Sequence, residues 1–216
     1  MSLNDELRQV DRMLAENLPR ATVEQEVSFV RSLSGKGIGA HAPMPGDPAP
    51  NFSLPNALGK TIALGSLRER GPVVVTFYRG RWCPYCNTTL RALQRELPEI
   101  ERLGGSLCAI SPQTPDNSLT TREKAEIGFE VLSDAGNAVA GEYGIVYEVT
   151  PEMRPVYDGV GVHLPDFNGD ESWKLPSPAT FVVDRDSRIT WTFIDANYTR
   201  RADPDDIVAE LARLVA

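Results

Sequence analysis

The sequence predicts an α/β domain, a mixed central sheet with helices on both faces, preceded by a helical N-terminal extension. Three observations carry this. Val73-Val74-Val75-Thr76-Phe77-Tyr78 is β-branched and aromatic throughout, the pattern of a central strand covered on both sides. A helical stripe and a second apolar strand follow it, and such a strand–helix–strand unit is right-handed almost without exception. Near the C-terminus, two strands are joined by four residues only, so they must be antiparallel neighbours.

Taken in order, Leu3, Leu7, Val10, Leu14 and Leu18 recur at spacings of three and four, which predicts an amphipathic helix that Pro19 stops. Thr22 followed by Gln25 predicts a capping box for a second helix carrying Val23, Val27 and Val30 on one side. Neither helix can bury its stripe alone, so each must pack on the main domain or on another subunit. Gly35 to Pro50 holds four Gly and four Pro and reads as a stiff loop laid over a surface. The expected division is 1–40 for the extension and the start of this linker, and 41–216 for the main domain, with Phe52 and Leu54 as its first apolar contacts.

After the central strand, Leu90, Leu93, Leu97, Ile100 and Leu103 form a helical stripe that Gly104-Gly105 ends, and Leu107–Ser111 is the second buried strand. Thr121–Ile127 reads as a helix, Phe129–Leu132 as a short strand and Ala135–Tyr143 as a helix. Glu148–Pro151 ends a short strand or turn, and Pro151–Pro178 is an ordered excursion without a periodic run. Ala179–Asp184 and Ile189–Asp195 are the closing strands, and a last helix has Asp203 as cap and Pro204 in its first turn.

The chain has 216 residues, enough for a sizeable core without a metal or disulfide staple. Thirty acidic residues against 22 Lys and Arg give a formal charge of −8, which argues against binding a phosphate backbone. No apolar run reaches the length of a membrane span. Met1–Glu6 lacks the basic and apolar regions of a secretory signal, so a cytoplasmic location is expected.

Three cysteines are too few for a disulfide framework, and Cys83 and Cys86 stand three apart between the strongest strand and a strong helix. A cysteine in the first helical turn meets unpaired backbone N–H groups, which favour its thiolate. Pro84 suits that turn, because its missing N–H would have no partner there. Arg79 and Arg81 are candidates for further thiolate support, and Trp82 and Tyr85 for a cover or a docking surface. Two thiols at this spacing can close a disulfide, which predicts a redox-active pair. A zinc half-site would need two further ligands from Cys108, His41, His163 or carboxylates, and two inert core cysteines are the remaining alternative. Cys108 lies inside an apolar strand and reads as core, and both histidines read as surface or locally bonded groups.

Several longer segments resemble the thioredoxin-like superfamily and, within it, the peroxiredoxin-like branch of the alkyl hydroperoxide reductase and thiol-specific antioxidant (AhpC/TSA) family. They are Pro48–Leu54, Gly71–Gly80, Ile110–Pro115, Leu132–Asp134 and Ser177–Asp184, in the order that family has them. The resemblance implies that Pro178 is a cis-proline beside the thiols, with Ser177 offering its backbone to a bound chain. It puts Cys86 at the peroxidatic position and Cys83 where the family has a threonine. The family arginine falls at Pro178, so Arg79 or Arg81 would have to replace it and Tyr85 or Thr76 to supply a hydrogen bond. The tetrad Cys83–Cys86 is also similar to that of glutaredoxins, over those four residues alone.

The function this implies is a thiol peroxidase reducing hydrogen peroxide or alkyl hydroperoxides at Cys86, with Cys83 as resolving cysteine and thioredoxin or a similar dithiol as donor. The alternative is a thiol–disulfide oxidoreductase with Cys83, expected to be the more exposed, as nucleophile and Cys86 resolving. A module with a degenerate site is the third reading. No flavin, haem or nicotinamide cofactor is expected, since no Gly-rich dinucleotide fingerprint follows a strand. A homodimer is expected only as the commonest closed assembly.

Overall fold

The computed structural model describes residues 2–124 and 126–215. The elements in chain order are α1 (Leu3–Asn17), α2 (Arg20–Leu33), β1 (Ser53–Pro55), β2 (Thr61–Ala63), α3 (Leu64–Arg68), β3 (Val73–Phe77), α4 (Pro84–Arg102) and β4 (Ser106–Ser111). Then follow α5 (Pro115–Lys124), β5 (Glu130–Ser133), a 3-10 turn (Ala135–Asn137), α6 (Ala138–Glu142), β6 (Val146–Glu148), α7 (Arg154–Gly159) and α8 (Leu164–Asn168). The chain closes with β7 (Lys174–Pro176), β8 (Ala179–Val183), β9 (Ile189–Ile194) and α9 (Pro204–Val215).

The main sheet has the order β5-β4-β3-β8-β9, which places the β-branched run of β3 at its centre as its composition requires. β3, β4 and β5 are parallel, β8 runs antiparallel to β3, and β9 runs antiparallel to β8, so the sheet is mixed. Because side chains alternate along a strand, β3 feeds two separate cores. Val74 and Tyr78 pack with α1, α4 and α9 on one face, and Val73, Val75 and Phe77 pack with α3 and α6 on the other. Phe77, Tyr143 and Phe181 meet in the second core with ring centroids 4.7–6.1 Å apart. Removing that packing in Phe181→Ala is expected to cost roughly 3–5 kcal/mol, read as a lowered denaturant midpoint.

The N-terminal helices fold over their own domain. Leu3, Leu7 and Val10 of α1 are buried in the first core, against α4. Phe29 and Leu33 of α2 join a third core with Tyr147 of β6, Tyr157 and Trp173 of the Pro151–Pro178 excursion, and Tyr198. That excursion is more regular than its composition suggests, holding α7, α8 and β7, the last paired with β6. The Pro- and Gly-rich loop is pinned to the surface, with Gly46 and Ala49 N–H groups donating to the Ile189 and Ser187 carbonyls.

Three expectations need correction. α2 starts at Arg20 with Pro19 at its cap position, so Thr22 and Gln25 are inside the helix and form no capping box. Pro19 thus begins one helix as well as ending another, since a proline blocks only the helix that precedes it. The helix expected over Thr121–Ile127 ends at Lys124 and begins already at Pro115, with Ala125 outside the described residues. No cis peptide bond occurs among the described residues, so Ser177–Pro178 is trans. Ser177 is held from both sides, its N–H donating to the Ile145 carbonyl (2.7 Å) and its hydroxyl to that of Asp195 (2.8 Å). The chain therefore runs extended from β7 into β8, where the commoner trans bond serves.

Candidate active site

The strand-to-helix turn after β3 builds the site. Gly80 has φ +154°, and a β-carbon there would collide with the Trp82 indole, so glycine lets the turn close under that ring. Cys83 is the N-cap of α4, Pro84 occupies the first turn as expected, and Cys86 follows one turn position later, at the positive end of the helix dipole. Both thiols are buried, Cys83 1% exposed and Cys86 0%, so the greater exposure expected of Cys83 is slight. They nevertheless face different spaces.

Cys86 borders a narrow void of about 10 Å³, room for about one water-sized group, with Thr76, Pro178, Thr180, Phe193 and Arg201 around it. The Arg79 N–H and the Arg201 Nη2 each donate to Cys86 Sγ at 3.5 Å. Burial alone would raise this thiol. The Cys83 S–H hydrogen bond, the Arg201 and Arg79 guanidiniums and the Arg79 N–H outweigh burial and bring it down to about 5. Cys83, the donor in that bond, is pushed up by burial and by the neighbouring Cys86. Cys86 is thus the thiolate and Cys83 the thiol.

Arg79 is 3% exposed and forms no ion pair with a carboxylate among the described residues. Its Nη1 lies 3.9 Å from Cys83 Sγ, its Nη2 donates to the Tyr157 hydroxyl, and its guanidinium sits 3.7 Å from the Tyr198 ring centroid and 4.7 Å from that of Trp82. An aromatic cage lets a cation stay in a dry site, and the thiolate supplies the opposite charge. Arg201, 8% exposed, is anchored by the Tyr198 and Arg200 carbonyls.

Other expected residues are placed differently. Arg81 turns away, its Nε donating to Asn117 Oδ1 (3.1 Å) and its guanidinium lying over Phe167, so it does not support either thiol. Tyr85 donates its hydroxyl to Asp11 Oδ1 of α1 (2.7 Å), which commits that proton to the N-terminal extension rather than to a substrate at Cys86. Thr76 shares a hydrogen bond with Thr180 (3.0 Å) at the edge of the Cys86 void. Ser177, its N–H already engaged, cannot offer that group to a bound chain. Pro178 does lie beside Cys86, although trans. Cys108 is fully buried in β4 with its thiol pushed up by burial, consistent with core packing. His163 pairs locally with Asp166 (3.2 Å).

Sequence reasoning missed Arg201, Tyr157 and Tyr198. The segment Tyr198-Thr199-Arg200-Arg201 offers two adjacent arginines before a helix, with no sign of which one turns inward.

Residues 45–192, more than half of the chain, match the AhpC/TSA family model. The chain belongs to the AhpC/TSA family. It is 27% identical over 158 residues to "Peroxiredoxin Bcp" of Escherichia coli, covering 73% of this chain and 90% of that one. It is 30% identical over 100 residues to "Peroxiredoxin Q, chloroplastic" of Populus jackii, 46% of each chain. Among solved structures it is similar to peroxidoxin BcpB from Mycobacterium tuberculosis, with TM-score 0.63 and 21% identity over 80% of this chain and 98% of that one. A peroxiredoxin-like protein from Aquifex aeolicus gives TM-score 0.63 at 16% identity, covering 80% and 88%. These likenesses establish the thioredoxin-like α/β fold, to which this chain adds α1 and α2. Family membership supports, in general terms, peroxiredoxin-like thiol peroxidase chemistry carried by cysteine.

Proposed function

We propose that this AhpC/TSA protein reduces peroxides through a Cys86 sulfenic acid and a Cys83–Cys86 disulfide. The observation that carries this reading is the convergence of two buried guanidinium-bearing residues, Arg79 and Arg201, on the Cys86 sulfur. Cys86 thiolate attacks one peroxide oxygen, the O–O bond breaks, and with uptake of a proton the products are Cys86 sulfenic acid and water or alcohol. Arg201 does, from the β9–α9 connection, what the displaced family arginine would do: it presents N–H donors beside the attacked oxygen. The narrow void beside Cys86 favours a small peroxide group over a bulky one.

Cys83 thiol then condenses with the sulfenic acid, forming the S–S bond and releasing water. A thiol donor, thioredoxin or another, must restore the pair. The donor attacks Cys83 because Cys83 borders open space, and because Cys86, the more acidic thiol, leaves more readily. The oxidoreductase reading, with Cys83 as nucleophile, has that opening in its favour. Its raised thiol, the trans Pro178 and the engaged Ser177 N–H count against it.

One equivalent of hydrogen peroxide is expected to convert the reduced protein, with its three thiols, to a form with one free thiol, Cys108, and a mapped 83–86 disulfide. A thiol count that stays at three on the time scale of seconds would refute the proposal.

A further inference from the structure

A groove of about 650 Å³ opens directly on Cys83 and not on Cys86, a volume suited to a small organic molecule. Its walls are apolar: Leu14 and Leu18 from α1, Val23 and Val27 from α2, and Val160 and Val162 beyond α7. The α1 and α2 walls precede residues 45–192, so they lie outside the segment matched to the family, in this chain's N-terminal extension. Arg79 lines the groove, and its buried Nε has no hydrogen-bond partner among the described residues, which leaves a donor for an occupant's oxygen.

The charges narrow the occupant further. Asp11 and Glu26 both line the groove and are fixed there by the Tyr85 and Tyr198 hydroxyls they accept from. The cations lining it are exposed Arg31 and buried Arg79, and in the disulfide form, where Cys86 carries no charge, Arg79 can stabilise the incoming thiolate. Negative charge elsewhere on the ligand would meet the two fixed carboxylates, whereas an uncharged body gains by burying its apolar part. A protein donor meets a steric barrier as well, since Cys83 lies at the bottom of a cleft walled by two helices.

We infer that this groove is the binding site of the reductant, and that the reductant is a small uncharged thiol with an apolar body and a hydrogen-bond acceptor near its sulfur. The inference rests on the disulfide cycle proposed above. One thiol molecule, as its thiolate, attacks Cys83 Sγ; the 83–86 bond breaks, Cys86 leaves as thiolate and a mixed disulfide forms on Cys83. A second molecule attacks the mixed disulfide at the ligand's sulfur, releasing the oxidised ligand disulfide, and Cys83 recovers its proton.

The test uses the full-length protein with its 83–86 disulfide formed by diamide, so that it does not depend on peroxide reactivity. N-acetylcysteamine and N-octanoylcysteamine carry the same thiol and differ only in the tail. The octanoyl compound is expected to reduce the disulfide at least about tenfold faster, about 1.4 kcal/mol of barrier. Val27 is 45% exposed, so Val27→Arg is compatible with folding, and it is expected to erase most of that advantage. Equal rates for the two tails, a tail advantage that survives in Val27→Arg, or glutathione matching the octanoyl compound would each overturn the inference. So would a tail preference, lost in Val27→Arg, in the oxidation of the reduced protein by alkyl hydroperoxides, which would assign the groove to the peroxide. Failure of the peroxidase proposal shows separately, as hydrogen peroxide that does not produce the disulfide.

Discussion

Reduced Cys86→Ser protein is expected to lose the fast reaction with hydrogen peroxide, by about a thousandfold or more, equivalent to roughly 4 kcal/mol of barrier. Cys83→Ser is expected to keep the first oxidation and to stop at the sulfenic acid, which dimedone then traps at residue 86. The asymmetry follows from the two environments. Arg201 and the Arg79 N–H donate to Cys86 Sγ, whereas Cys83 keeps its proton and gives it to Cys86 as a hydrogen bond. Cys108 cannot substitute, because it is sealed in β4 with its thiol pushed up. Stopped-flow tryptophan fluorescence can follow the step, since Trp82 stacks on Arg79 at the site. A burst that survives in Cys86→Ser and disappears in Cys83→Ser would reverse the assignment.

Arg201→Met should have the next largest effect, and its signature is a pH profile. The attacking species is the thiolate, so the oxidation rate rises with pH through the Cys86 pKa and levels off above it. With that value near 5, the wild-type rate is already on its plateau at neutral pH. Removing the guanidinium 3.5 Å from the sulfur raises the pKa, by about one unit or more for a charge this close. The loss is therefore larger at pH 6 than at pH 9, where both proteins are ionised, and Arg201→Lys recovers part of it. A profile that falls equally at all pH values would mean that Arg201 only holds the loop. Stability carries the same sign. Cys86 is more acidic folded than its ordinary value of about 8.5, so its contribution is complete above that pH and is lost as pH falls through about 5.

Local signals made the core of this account legible in the sequence. The unbroken β-branched run fixed β3 as central, and the Cys-Pro-x-Cys turn between a strand and a helix located the thiols. What stayed hidden depends on long-range packing. Arg201 reaches Cys86 across 115 positions of sequence, and only the return of the chain after β9 brings it there. Arg79 and Arg81 looked equivalent, two positions apart on one loop. The structure separates them, caging Arg79 among Trp82, Tyr157 and Tyr198 and sending Arg81 to Asn117. The surroundings of Cys83 were hidden for the same reason: α1 and α2 wall the groove beside it, and nothing local to Cys83 announces helices some fifty or more residues upstream. The resemblance led astray at one point, the cis form of Pro178, because Ser177 is anchored here by Ile145 and Asp195.

The central claim is that the thiolate belongs to Cys86, and titration of the reduced protein by thiolate absorbance at 240 nm tests it directly. The account predicts a step near pH 5 in the wild type that is absent in Cys86→Ser, retained in Cys83→Ser, whose hydroxyl can donate in place of the S–H, and displaced upward in Cys83→Ala, which has no donor. A step near pH 5 that persists in Cys86→Ser and vanishes in Cys83→Ser would contradict it.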